Sequence, residues 1–193
     1  AVYEALKGKI AIANAKLKMI SYAGALEEKR VQDRFTSDLA RGYADATPGE
    51  RVIRAQARGM MKSAIGFYNK AEWQPAIDLF SRSRELFAQS GDELETLFAE
   101  AFAGYSYLRV PDPQAAIPIF DRLSKVFEAK GYRSFYAQSL LAMADAVAGQ
   151  NEFSKMLEHA GKSLVVSEQI QDHANSIRCL TAQTSALIVV GNY

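Results

Sequence analysis

Apolar positions recur at intervals of three and four residues along most of the chain, and no stretch alternates with the period of two that a strand would show. From Val2 to Tyr22 the residues Tyr3, Leu6, Ile10, Ala13, Leu17 and Ile20 mark one face of a helix. Gly24 reads as a break. A second helix then carries Leu26, Val31, Phe35, Leu39 and Tyr43 and ends near Gly42 to Asp45. Thr47-Pro48-Gly49-Glu50 is a start signal: Thr47 can accept from the first free N–H groups, Pro48 fits the first helical position, and Glu50 can reach back to Thr47. The helix it opens runs to about Asn69. Further helices are predicted from Trp73 to Gln89, Asp92 to Val110, Pro113 to Gly131, Arg133 to Ala148, Glu152 to Ile170, and from Asp172 to a stop at Gly191. Pro111-Asp112-Pro113 marks one boundary, and Pro75 and Pro118 fall in first or second turns. The pattern predicts an all-α protein.

Superposed on this periodicity is a longer one. Trp73-Gln-Pro-Ala-Ile-Asp-Leu-Phe80 returns as Pro113-Gln-Ala-Ala-Ile-Pro-Ile-Phe120 and again as Phe153-Ser-Lys-Met-Leu-Glu-His-Ala160, and one more step of the same size lands on Tyr193. Small residues align at Ala64, Gly104, Ala144 and Thr184. Large ones align at Phe67, Tyr107, Val147 and Leu187, and further columns read Ala76, Ala116, Met156 and Phe80, Phe120, Ala160. The order small, aromatic, turn, aromatic, small, aromatic within a helix pair resembles the tetratricopeptide repeat, here lengthened to a unit of about 40 residues. The likeness covers Thr47 to Tyr193, as repeats at about 47–91, 92–131 and 132–171 and the first helix of another at 172–193. Residues 1–46 fall outside the register and read as a degenerate repeat or a cap.

The resemblance implies a right-handed solenoid of antiparallel helix pairs whose first helices line a concave peptide-binding groove. Carried onto this sequence, the groove set is Arg58, Lys62, Ile65, Asn69, Phe98, Phe102, Tyr105, Arg109, Gln138, Asp145 and Arg178, among neighbours such as Met61 and Ala142. Relatives that clamp a terminal carboxylate need lysine, asparagine and arginine where this chain has Met61, Ile65, Phe102, Gln138 and Ala142, so that mode of binding is not expected. Arg51, Arg54, Arg58 and Lys62 share a narrow arc of one helix. They are either a solvated face or, with Phe98, Phe102 and Tyr105 beside them, a surface for an acidic peptide with an apolar anchor. The aromatics are equally readable as core. Crowded like charges at this spacing favour a counter-charge nearby. Asp145 is either a groove carboxylate pairing with Arg109 or Arg178, or a buried group bonded to backbone or water.

Composition narrows the classes. Hydrophobic residues make up 49% of the chain and charged ones 23%, which suits a folded globular protein rather than a disordered one. A net charge of +1 gives no general footprint for nucleic acid or an anionic membrane. The lysines Lys7, Lys9, Lys16 and Lys18 are expected on a solvated face. A single cysteine, Cys179, precludes an intrachain disulfide and points to a reducing, cytoplasmic setting. His159 and His173 are far apart in the repeat and complete no metal set with it, so no cofactor is expected. The chain has no initiator Met and begins inside a helical pattern, which reads as a piece of a larger scaffold or regulatory protein. Its last helix ends without a partner for Leu180 and Leu187, so self-association there is expected. The reading that follows is a non-catalytic protein–protein interaction module. The alternative is a regulatory repeat domain controlling a protease or transcription activator fused in the same chain.

Overall fold

A computed structural model describes Lys7 and residues 10–110 and 113–191, without the side chains of Ile10 and Pro113. Tyr3, Leu6, Lys9, Pro111, Asp112 and Tyr193, named above, lie outside the described residues. Among the described residues every regular element is helical. They are α1 (Ile10–Val31), α2 (Phe35–Asp45), α3 (Pro48–Asn69), α4 (Trp73–Gln89), α5 (Glu93–Tyr107), a 3₁₀ turn (Pro113–Ala115), α6 (Ala116–Lys130), α7 (Arg133–Ala148), α8 (Phe153–Gln169) and α9 (His173–Val189).

The helix ends follow the punctuation in the sequence. At α3, Glu50 N–H donates to Thr47 Oγ1 at 3.3 Å and Thr47 N–H donates to Glu50 Oε2 at 2.7 Å, a complete capping box. The Thr47 N–H, and after it the Thr47 hydroxyl, hold the Glu50 carboxyl below the usual carboxylate range. Asp92 Oδ1 accepts from Glu95 N–H at 3.2 Å, and Asp172 Oδ1 accepts from Asn175 N–H at 3.0 Å.

Six helix stops share one device. Ala71, Gly91, Gly131, Asn151, Gln171 and Gly191 all have positive φ, and from Gly131 onward they recur at a constant spacing of half a repeat. After five of them the next N–H reaches back five positions, Glu72 to Phe67, Asp92 to Phe87, Tyr132 to Phe127, Glu152 to Val147 and Asp172 to Ser167, at 2.8 to 3.1 Å. This closure satisfies a carbonyl that the helix end would otherwise leave open. These six helices thus end in a left-handed turn, while α5, which ends at Tyr107, is followed by no positive φ among the described residues.

The N-terminal hairpin departs from expectation. Gly24 does not break a helix; it lies within α1, and the chain turns at Gln32–Arg34 instead. A Cβ at Gly24 would stand 2.5 Å from the backbone nitrogen of Ser37, so the missing side chain lets the start of α2 approach α1.

The chain forms two compact units, Ala1–Arg30 with Arg34–Ser106, and Val31–Asp33 with Tyr107–Tyr193. In the first, α3 packs against α4, and a core of Ala57, Met61, Ala64, Ala76, Phe80, Phe87, Ala99 and Ala103 joins α3, α4 and α5. Alanines facing phenylalanines let the helices approach while the rings fill the space between them. In the second unit α6 packs on α7, α7 on α8, and α9 on both α8 and α7. Its core holds Leu141, Ala144, Val147, Met156, Ala160, Cys179, Ala182 and Ala186.

The repeat columns Ala76, Ala116, Met156 and Phe80, Phe120, Ala160 are all buried. Ala64, Gly104 and Ala144 are buried too, but Thr184, which continues that column in α9, is exposed, as is Leu187, which continues the column of Phe67, Tyr107 and Val147. Trp73 is half-buried rather than a core anchor, its ring set edge-on to Tyr68 at 5.2 Å.

One cap in the second unit comes from far along the chain. Tyr132 offers α7 no side-chain cap. Asp33 Oδ2 instead accepts from Ser134 N–H at 2.7 Å, and Arg133 donates to the Val31 carbonyl at 3.0 Å.

Candidate functional site

In α3, residues four apart share a face, which places Arg54, Arg58 and Lys62 in one row. The row is not a uniform solvated stripe. Arg51 is turned back onto the preceding turn, donating to the carbonyls of Ala46 at 2.8 Å and Ala44 at 3.4 Å. Arg54 is buried. It donates to the carbonyls of Gly42 at 2.7 Å and Ser90 at 3.2 Å, and lies 3.4 Å from Asp92 Oδ2. Arg58 pairs with Glu95, which is 1% exposed and so holds the counter-charge inside the fold. Tyr43 closes the group: its hydroxyl donates to Glu95 Oε1 at 2.9 Å and accepts from Arg58 Nε at 3.2 Å. Lys62 is exposed.

Burial raises the Asp92 carboxyl above its ordinary value, with Arg54 and Arg58 opposing the shift. Burial likewise raises the Tyr43 hydroxyl against the pull of Arg58. Three buried atoms of this cluster, Arg54 Nε, Asp92 Oδ2 and Glu95 Oε2, have no hydrogen-bond partner.

Beside this cluster is a pocket of about 600 Å³ within the first unit. Leu17 and Ile20 of α1, Leu39 and Ala40 of α2, and Ala55 and Gly59 of α3 supply its apolar wall, and Tyr43, Arg54, Arg58 and Lys62 its polar one. The N-terminal hairpin thus forms one wall of a cavity, a role that its place outside the repeat register did not suggest.

The expected aromatic strip lies on α5. Phe98 meets Phe102 edge to face at 4.9 Å, and Phe102 meets Tyr105 at 6.1 Å. Phe102 also packs 5.3 Å from the buried ring of Phe80. All three strip residues are half-buried, so they are neither fully core nor free surface. Ile65 packs with Phe98 and Phe102 against the same core, while Asn69 is exposed at the end of α3.

In the second unit, Asp145 is exposed at its surface, yet the protein crowded around it raises its carboxyl, with Arg178 and then Arg109 opposing. Those two arginines are also exposed, and Gln138 is half-buried. The buried alternative for Asp145 therefore does not hold. The residues that sequence reasoning passed over are Tyr43, Asp92, Glu95, Leu17, Ile20 and Leu39. A signal did exist for one of them: Glu95 stands between Leu94, Leu97 and Phe98, where a carboxylate needs a partner.

Among the described residues no three His, Cys, Asp or Glu side chains cluster to hold a metal ion, and no helix is long and apolar enough to cross a membrane. Neither protein-family models nor curated proteins match the sequence.

Proposed function

We propose that the chain is a non-catalytic protein-interaction module, built like a tetratricopeptide-repeat solenoid, that receives an acidic peptide segment carrying an apolar or aromatic anchor. The observation that carries this reading is the half-buried ladder of Phe98, Phe102 and Tyr105. Phe98 and Phe102 rest against the core and Tyr105 against Phe102, and half-buried rings held in this way offer large contact area at little entropic cost, the usual make-up of an interface anchor. The buried acids of the neighbouring cluster also speak for binding rather than catalysis. Asp92 and Glu95 are committed to Arg54 and Arg58, which leaves neither poised for proton transfer.

Selection of a displayed random-peptide library on the full chain tests the reading. Enriched peptides should combine Asp or Glu with Phe, Trp or Leu. Their affinity should fall at least tenfold for Phe98→Ala and for Tyr105→Ala, with helicity by circular dichroism unchanged. An enriched set with no such consensus, or binding indifferent to both substitutions, would sink it. Phe102 is left intact because its ring rests on Phe80 and its removal would also disturb the core.

A further inference from the structure

The pocket of the first unit is lined by neither Phe98, Phe102 nor Tyr105, and its chemistry is different from theirs. We infer that it is a binding site for a small amphiphilic monoanion: one carboxylate head on an apolar chain. Three observations carry this. The volume of about 600 Å³ falls within the range of small-molecule sites, and is modest for a structured peptide. The wall is segregated, with Leu17, Ile20 and Leu39 on the apolar side and Arg54, Arg58 and Lys62 on the cationic one. The charge balance then selects the head group. Arg54 faces Asp92 and Arg58 faces Glu95, so two of the three cations are neutralised inside the protein. Among the described residues of the wall, Lys62 is left as the uncompensated charge, and a single positive charge suits a single negative one.

An apolar chain between α1 and α2 would also cover surface that is now wet. Ile20 is 36% exposed although it lines the pocket. A carboxylate is preferred over an acidic peptide run because a second negative charge would meet no further uncompensated cation in this wall and would face the buried carboxylates of Asp92 and Glu95.

Isothermal titration of the full chain with dodecanoate, 1-dodecanol and dodecylamine, all below micelle formation, tests the inference. Dodecanoate should bind at one site, dodecanol at least tenfold more weakly, and dodecylamine not at all. Lys62→Glu, on an exposed side chain that folding does not need, should weaken dodecanoate at least tenfold. Ala55→Phe should narrow the pocket and weaken dodecanoate at least tenfold, with its melting curve confirming the fold. The inference fails if dodecanoate shows no saturable binding up to millimolar concentration, if the amine binds as well as the acid, or if Lys62→Glu has no effect. It also fails if a peptide selected on the α5 aromatics displaces dodecanoate at lower concentration than dodecanoate needs to bind. That result would give the pocket to the peptide.

Discussion

The two units build the same frame around different centres. In the first, Ser83 Oγ donates to the Ala57 carbonyl at 3.0 Å; two repeats on, Ser163 Oγ donates to the Ala137 carbonyl at 2.7 Å. Asp92 and Asp172, also two repeats apart, cap the following helices in the same way. Inside that frame the chemistry diverges. Glu95 in the first unit has Asn175 as its counterpart in the second, and Phe87 has Ser167. The first centre is charged, Arg54 with Asp92 and Arg58 with Glu95 and Tyr43. The second is neutral: the Asn175 amide donates to Ser167 Oγ at 2.7 Å and Ser163 Oγ at 3.1 Å, and Cys179 Sγ lies 3.2 Å from the latter. The charged centre reaches a pocket through Arg54, Arg58 and Tyr43; the neutral one is sealed, with Ser163, Ser167 and Cys179 all 0% exposed. The repeat thus keeps the bonds that position its backbones and varies the polar groups between them.

Removing one partner from each centre should separate them most clearly. Arg54→Met leaves the Asp92 carboxylate buried without its cation, and should cost about 3 kcal/mol in urea unfolding. Asn175→Leu removes only the donor to two neutral hydroxyls, which keep their own carbonyl acceptors, and should cost about 2 kcal/mol. Equal losses would mean that charge is not what distinguishes the centres.

A pH series sharpens the contrast by a smaller amount. Because burial raises Asp92 in the folded state, the native protein holds that proton more tightly than the unfolded chain does. Stability should therefore fall, relative to Asp92→Asn, as pH rises from about the ordinary Asp value of 3.8 through the raised one, and the gap should then stay constant. Asn175 carries no proton in this range, so the cost of Asn175→Leu should be nearly independent of pH. Wild-type stability that rises relative to Asp92→Asn over this pH range would reverse the sign and break the argument.

The smallest effect concerns the turns. Ala71 adopts a left-handed φ of 60° that strains a residue with a Cβ, and Asn151 in the second unit adopts 61° with a side chain that tolerates it. Ala71→Gly should add about 1 kcal/mol to stability, and Asn151→Gly much less, both readable as melting-temperature shifts.

Much of the frame was legible before any coordinates. Thr47 to Glu50 announced a capping box, Gly91 and Gly131 announced helix ends, and Ala76, Phe80, Ala116 and Phe120 announced a buried seam, because each of these depends on local spacing. Gly24 misled because a glycine looks the same whether it breaks a helix or admits a neighbour; only the position of Ser37 decides. The arginine row misled in part for a related reason. Its like charges did call for a counter-charge, but which arginine turns inward depends on Asp92 and Glu95, which lie beyond the whole of the next helix. Ala71 and Gln171 as left-handed residues could have been inferred only by extending the constant spacing of the turn glycines. The pocket was not legible at all, since its walls come from α1, α2 and α3 and no single periodicity connects them.

The cap on α7 has a consequence in time. Ser83 and Ala57 are 26 residues apart, so the helix pairs of this protein can close over short stretches of chain and should form early. Asp33 and Ser134 are 101 residues apart, and joining them carries roughly 1 kcal/mol more loop-closure entropy. The cap on the first turn of α7 should therefore close later in folding than the short-range bonds that join the helix pairs.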